Sequence, residues 1–428
     1  PITPVVEQAM PGQPGAEEAA ASKSIQQTRS GDPASKRQVV YSGVAIGLPG
    51  SYKKSFQDDN FEQIFAGQNL IERLSDQERQ WLVDLQISKL IKNENGPTFK
   101  LLTALEDVIQ LAGKAGRIDM VADYHVDDKV VRNMTSCIAS GVAAGYEALR
   151  DAQIPLVRVY RRTTTGNLLP EKLALPEPMQ EETGVIFANG FPMVDPIIQE
   201  VSRYISYRFG SKTRKELMSF YESIIQRVKD PQAKKLLSDW YTLYYSRLTD
   251  NPGEEDLYQF NHHFMTQISA QANNLLAMLI NAKGPNFQMN AACSSTSNAI
   301  TIAEDFIRSG RVKRMIVIGA DDPTSATNLP YLGAGFLCTG AATNEADLYK
   351  AAVPFDQRRN GMLMGAGAVG IVLETQDELQ KRGVSGICEL LGTHSFNTAR
   401  HISQIDAEIF SEEFDKFIGR MEREHGLD

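Results

Sequence analysis

Apolar positions along this chain change period several times, and each change marks a predicted element. Residues 39–50 (VVYSGVAIGLPG) alternate apolar and small side chains and then break at glycine and proline, which predicts a strand entering a loop. Residues 58–115 read as mixed and mostly helical, with Phe61, Ile64 and Phe65 at helical spacing, and look like decoration around a site rather than the site itself. Residues 135–152 (TSCIASGVAAGYEALRDA) predict a helix with small residues on one side, suited to close packing on a sheet, and residues 184–188 (GVIFA) a short buried strand. Between 211 and 248 two charged amphipathic helices meet at Pro231. The first carries Leu217, Phe220, Tyr221, Ile224, Ile225 and Val228, the second Leu236, Leu237, Trp240, Tyr241 and Tyr244. Aromatic residues at this spacing read as core packing in preference to a docking surface. No internal repeat is visible.

The most informative stretch runs from 284 to 322 (GPNFQMNAACSSTSNAITIAEDFIRSGRVKRMIVIGADD). Phe287, Met289 and Ala291 alternate as a strand. Ala299, Ile302, Ala303, Phe306 and Ile307 then recur at helical spacing, Gly310 supplies a stop, and 315–318 forms a second buried strand. This is a parallel βαβ pattern. Cys293 falls at the junction of strand and helix, where free backbone N–H groups and the helix dipole favour a thiolate. Its own N–H is placed to serve an oxyanion hole when a thioester carbonyl is attacked. Position alone leaves a second reading open, a small buried residue filling space between strand and helix. The small polar residues Ser294, Ser295, Thr296 and Ser297 are what a tight nucleophile turn needs.

Composition bounds the rest. The chain has 428 residues, 42% of them hydrophobic, enough for a large core, and a net charge of -9 argues against nucleic-acid binding. The four cysteines, Cys137, Cys293, Cys338 and Cys388, form no CxxC pair, so neither a zinc ribbon nor a disulfide framework is indicated and a cytoplasmic setting fits best. The apolar run at 275–280 is too short to span a membrane, and no membrane insertion is expected. Residues 1–37, rich in Pro, Ala, Gly, Ser and Gln, read as a disordered interdomain linker, with a frayed terminus as the alternative. The absence of an initial Met points to a fragment of a longer multidomain chain.

The segment GPNFQMNAACSSTSNAI followed by VIGADD resembles the active-site stretch of β-ketoacyl synthases, the condensing enzymes of fatty-acid and polyketide synthesis. A second block, residues 353–374 (VPFDQRRNGMLMGAGAVGIVLE), is similar to that family's Pro-Phe-Asp block, and 39–50 to its opening strand. The resemblance implies an α/β, thiolase-like layered fold: a first half with a mixed sheet flanked by helices over 38–395, a helical insertion at 211–250, and a helical segment at 396–428 leading toward a second half. It gives Cys293 the role of acyl-accepting nucleophile. It also implies substrates carried as phosphopantetheine or coenzyme A thioesters with no cofactor bound by the chain, an acyl carrier protein or domain as partner, and a homodimer paired through the strand at 287–292. Asn360 and Ala366, where the family more often has acidic residues, and Met362, where it usually has Phe, depart from the pattern. Gly365, Gly367 and Gly370 spell G-x-G-x-x-G with Glu389 downstream, but they precede a strand instead of joining strand to helix, so a dinucleotide site is rejected.

In the resemblance, two catalytic histidines and usually a lysine come from the second half. None of His125, His262, His263, His394, His401 and His425 falls in such a motif, and the adjacent His262 and His263 would point to different sides of a helix, a poor metal geometry. The expected activity is therefore β-ketoacyl synthase-type acyl transfer onto Cys293, with condensation dependent on a second half that is either truncated or a separate chain. The alternatives are a thiolase and a non-catalytic scaffold that docks its neighbours through the 211–248 helices.

Overall fold

A computed structural model describes residues 37–93, 96–191, 193–248, 258–268, 271–351, 353–400 and 404–427; the predicted linker thus lies almost wholly outside the described residues, as does His401. Six strands make the main sheet: β1 (Val39–Gly47), β2 (Thr183–Ala188), β3 (Asn286–Met289), β4 (Arg314–Asp321), β5 (Gly367–Thr375) and β6 (Cys388–Leu390), in the spatial order β6-β1-β5-β4-β2-β3. The β2, β3 and β4 strands run parallel, whereas β5 pairs antiparallel with both β4 and β1, giving a mixed sheet. The βαβ crossover over 284–322 exists, but its two strands are not neighbours. Strand β2, nearly a hundred residues upstream, is inserted between β3 and β4.

Alternation explains why the central strands read as continuous apolar runs, since both faces are covered. Ile316 and Ile318 of β4 join a cluster with helix α1 (Ser136–Asp151), while Met315 and Val317 point to the opposite face against α6 (Ser295–Arg308). Between these in sequence lie α2 (Asp195–Ile205), α3 (Ser211–Ile225), α4 (Pro231–Leu248) and α5 (Ala272–Ile280); α7 (Asn328–Cys338) and α8 (Ala407–His425) follow. Thr135 caps α1 by accepting from the Ile138 N–H at 3.2 Å, one residue from the predicted boundary. The small face of α1 lies directly on the sheet. A Cβ on Gly370 would stand 2.1 Å from the Ala144 carbonyl oxygen, and one on Gly43 2.4 Å from that of Ala148. Glycine is needed at both positions because backbone meets backbone there.

Across β4 and β5, Arg314 sits directly opposite Glu374, and both are fully buried. The Arg314 Nε donates to Glu374 at 2.7 Å, while Arg382 reaches the same carboxylate with two bonds of 2.7 and 2.8 Å. Arg314 Nη2 lies 2.5 Å from a Glu374 oxygen, a charge contact whose angles do not make a hydrogen bond.

Two expectations fail here. Residues 58–115 are as much strand as helix: short helices at Asn60–Phe65 and Asp76–Asp84 are followed by a hairpin, Ser88–Asn93 with Gly96–Leu101, and a short strand at Leu111–Gly113. The α3/α4 pair forms as predicted, and Tyr221 stacks on Tyr241 at 4.0 Å, but core packing does not extend to its outer face. Phe220 is 59% exposed, Leu236 73% and Trp240 47%. The second helix thus turns Tyr241 toward α3 while Leu236 stands in solvent. At the far end α8, capped by Asp406, packs back on residues 391–394 through Met421 against Gly392 and an Arg420 bond to the Thr393 carbonyl, leaving Phe410, Phe414 and Ile418 exposed.

Candidate active site

The carboxyl ends of β2, β3 and β4 lie along one edge of the sheet, where open α/β sheets place ligands. Cys293 sits on that edge, four residues past the end of β3. It lies at the junction of strand and helix, as the sequence suggested: α6 starts at Ser295 with Ser294 as its N-cap, so Cys293 is the residue before the cap. Ala292, immediately ahead of it, has φ +50°, a left-handed conformation that costs an alanine about 1 kcal/mol. The strained turn lifts Cys293 onto the surface, where it is exposed, against the alternative of a buried filler between strand and helix. Among the described residues its backbone N–H has no hydrogen-bond acceptor.

One hydroxyl organises this turn. Ser295, 2% exposed, accepts from the Ala291 N–H at 2.8 Å and shares its own proton between the carbonyls of Ala292, at 2.6 Å, and Asn189, at 2.9 Å. Asn189 closes β2 and gathers further contacts: its carbonyl accepts from Asn290 Nδ2 at 2.9 Å, its side-chain oxygen from Gln288 at 2.9 Å. The next two backbone N–H groups, of Gly190 and Phe191, donate to Asp321 at 2.7 and 2.9 Å. Burial pushes the Asp321 carboxyl above its usual range, against the pull of those two N–H groups. Sequence reasoning grouped four small polar residues here without separating Ser295 from the rest, and it missed Asn189, whose role depends on a tie across 106 positions.

Behind the edge, Asp322 accepts from Ser136 at 2.5 Å, and Asp195 from Ser325 and Asn328 at 2.6 Å each. These carboxylates face Cys137 in α1. Burial foremost, then the charges of Asp321, Asp322 and Asp195, push its thiol well above the ordinary range. A buried thiol among acids is not a nucleophile at neutral pH, which rules out Cys137.

The Pro-Phe-Asp block reaches the same edge, because Gly367 at the start of β5 pairs with Asp321. Gly367 and Gly370 lie inside β5, consistent with rejecting a dinucleotide loop. Asn360 ties the loop by accepting from Thr343 at 2.7 Å, whereas Ala366 is buried and Met362 is 52% exposed. The histidines do not converge on Cys293: among the described residues none shares a hydrogen bond or ring contact with the turn. His394 pairs with Glu413, and His425 bonds the Leu391 carbonyl. His262 and His263, expected on different sides of a helix, instead precede a four-residue helix in a turn, their rings 3.8 Å apart. No group of three metal-ligating side chains occurs among the described residues.

Residues 240–378 match the family described as Beta-ketoacyl synthase, N-terminal domain. Chloroplastic 3-oxoacyl-[acyl-carrier-protein] synthase I of Arabidopsis thaliana is 30% identical over 142 residues, 33% of this chain and 29% of that protein. The 3-oxoacyl-[acyl-carrier-protein] synthase 2 of Staphylococcus aureus is 30% identical over 136 residues, 32% of this chain and 33% of that protein. These matches thus span about a third of the relatives' length. Among solved structures, a β-ketoacyl synthase from Burkholderia phymatum STM815 superposes with TM-score 0.57 at 18% identity, covering 89% of this chain and 69% of the other. A type II PKS acyl-carrier protein in complex with its ketosynthase gives 0.51 at 16% identity, covering 87% and 66%. At such identities the likeness concerns the fold. The matched segment contains the Cys293 turn together with β3, β4 and β5, and over the rest of the described chain the likeness to β-ketoacyl synthases is one of fold.

Proposed function

We propose that this chain accepts an acyl group on Cys293 as the first step of β-ketoacyl synthesis. The Cys293 thiolate attacks the carbonyl carbon of an acyl thioester and forms the Sγ–carbon bond, the tetrahedral oxyanion takes a hydrogen bond from the Cys293 N–H, and collapse restores the carbonyl by breaking the bond to the carrier sulfur, whose thiolate departs and picks up a proton from solvent. The observation that carries this reading is the exposed Cys293 with its N–H unoccupied, on a strained turn at the carboxyl edge of the sheet. Decarboxylation of a malonyl-type extender would then supply the carbanion that attacks the Cys293 thioester. Because the described histidines make no contact with the turn, we assign that second step to groups contributed by the remainder of a thiolase fold.

The acyl donor is a phosphopantetheine thioester on an acyl carrier protein or domain, or a coenzyme A thioester. The solved complex of a ketosynthase with its acyl-carrier protein supports the first source. A homodimer is part of the proposal: among the described residues β3 pairs with β2 alone, which leaves its other edge for a second copy. Intact-mass spectrometry after incubation with an acyl-coenzyme A or acyl carrier tests the reading. One acyl mass is expected on the wild type and none on Cys293→Ala, and equal labelling of both would refute it.

A further inference from the structure

The Asn189 carbonyl receives two donors from the nucleophile turn, Ser295 Oγ and Asn290 Nδ2, each at 2.9 Å. Ser295 also grips the chain on either side of the left-handed Ala292, accepting from the Ala291 N–H of the Asn290–Ala291 peptide and donating to the carbonyl of the Ala292–Cys293 peptide. An alanine at φ +50° has no intrinsic reason to stay there, unlike glycine, so the conformation persists only where its surroundings fix it. The orientation of the Ala292–Cys293 peptide determines where the Cys293 N–H points. We infer that Ser295 and Asn290 are positioning residues: anchored on Asn189, they hold the Ala292 turn so that the Cys293 N–H faces the oxyanion formed during acyl transfer. This rests on the acyl-acceptor reading of Cys293.

The inference predicts a selective defect. Attack on a thioester develops an oxyanion and needs the N–H aimed at it, whereas alkylation by iodoacetamide displaces iodide directly and needs only an accessible thiolate. Both rates are measured on Cys293, with the other cysteines monitored by peptide mapping and thermal unfolding recorded for each variant. Ser295→Ala is expected to lower the acylation rate about 100-fold, the scale of an ångström-level misplacement, while alkylation stays within about threefold of wild type. Asn290 is exposed, so Asn290→Ala carries little risk to folding, and it is expected to lower the ratio of acylation to alkylation about tenfold. Adding Ala292→Gly to Ser295→Ala is expected to recover part of the lost acylation, because glycine adopts positive φ without cost.

Unchanged acylation in both single variants overturns the inference, as does a parallel fall in acylation and alkylation, which would mean general loss of structure. Wild-type protein that alkylates but never acylates would instead refute the proposed function itself.

Discussion

Replacing Glu374 by Gln removes one charge from a site where two guanidinium groups depend on it. The wild-type carboxylate and Arg314 are both wholly out of water, and Arg382 adds two bonds to the same group. Gln preserves the shape but leaves the buried Arg314 without a counter-charge, a change that costs about 3–5 kcal/mol when one partner of a buried pair is lost. Burial alone would raise the Glu374 pKa, but hydrogen bonding to Arg382 and the charges of Arg314 and Arg382 outweigh it and hold the carboxyl below its ordinary range. A carboxyl depressed in the folded state binds protons more readily when unfolded. Its contribution is therefore complete above the unfolded value of about 4.3 and is lost as pH falls through the lower folded value. Urea unfolding followed by circular dichroism at pH 7 and at steps down to about pH 3.5 measures this directly. The stability gap between wild type and Glu374→Gln is expected to be largest at pH 7 and to narrow below about pH 4.3, with the denaturant slope unchanged. A gap under about 1 kcal/mol at pH 7, or one that widens on acidification, would refute the reasoning.

Gly370→Ala forces a methyl group against the Ala144 backbone, which cannot give way as a side chain would, and is expected to cost about 3 kcal/mol in the same unfolding experiment. Leu236→Ser tests the exposed outer stripe of α4: a change within about 0.5 kcal/mol is expected, and a loss of 2 kcal/mol or more would place that residue in a core after all.

The parts of the fold legible from sequence are those where a period and a boundary signal coincide. The α1 helix announced itself through small residues at helical spacing, and β2 and β4 through short apolar runs. The hairpin at Ser88–Asn93 and Gly96–Leu101 was missed because its strands carry Lys89, Lys92 and Lys100 among few apolar residues and lie largely on the surface, so no alternation stands out. The α4 helix shows the converse limit. Periodicity identifies a helix with apolar stripes but does not say which stripe finds a partner. At the site, the junction of strand and helix that carries Cys293 was legible from the change of period on either side of it. Its supporting shell was not: alanine at 292 gives no hint of positive φ, and the carbonyl anchor at Asn189 comes from another strand that only the sheet order brings alongside β3.

The central claim concerns which thiol becomes acylated, and three of the four cysteines, Cys293, Cys338 and Cys388, are exposed while Cys137 is buried. Peptide mapping by tandem mass spectrometry after brief exposure to a thioester donor at neutral pH addresses it directly. The account predicts the acyl group on the peptide bearing Cys293, with Cys338 and Cys388 modified only at the background rate of exposed thiols. Acyl groups distributed evenly over the three exposed cysteines, or concentrated on Cys338 or Cys388, would contradict it.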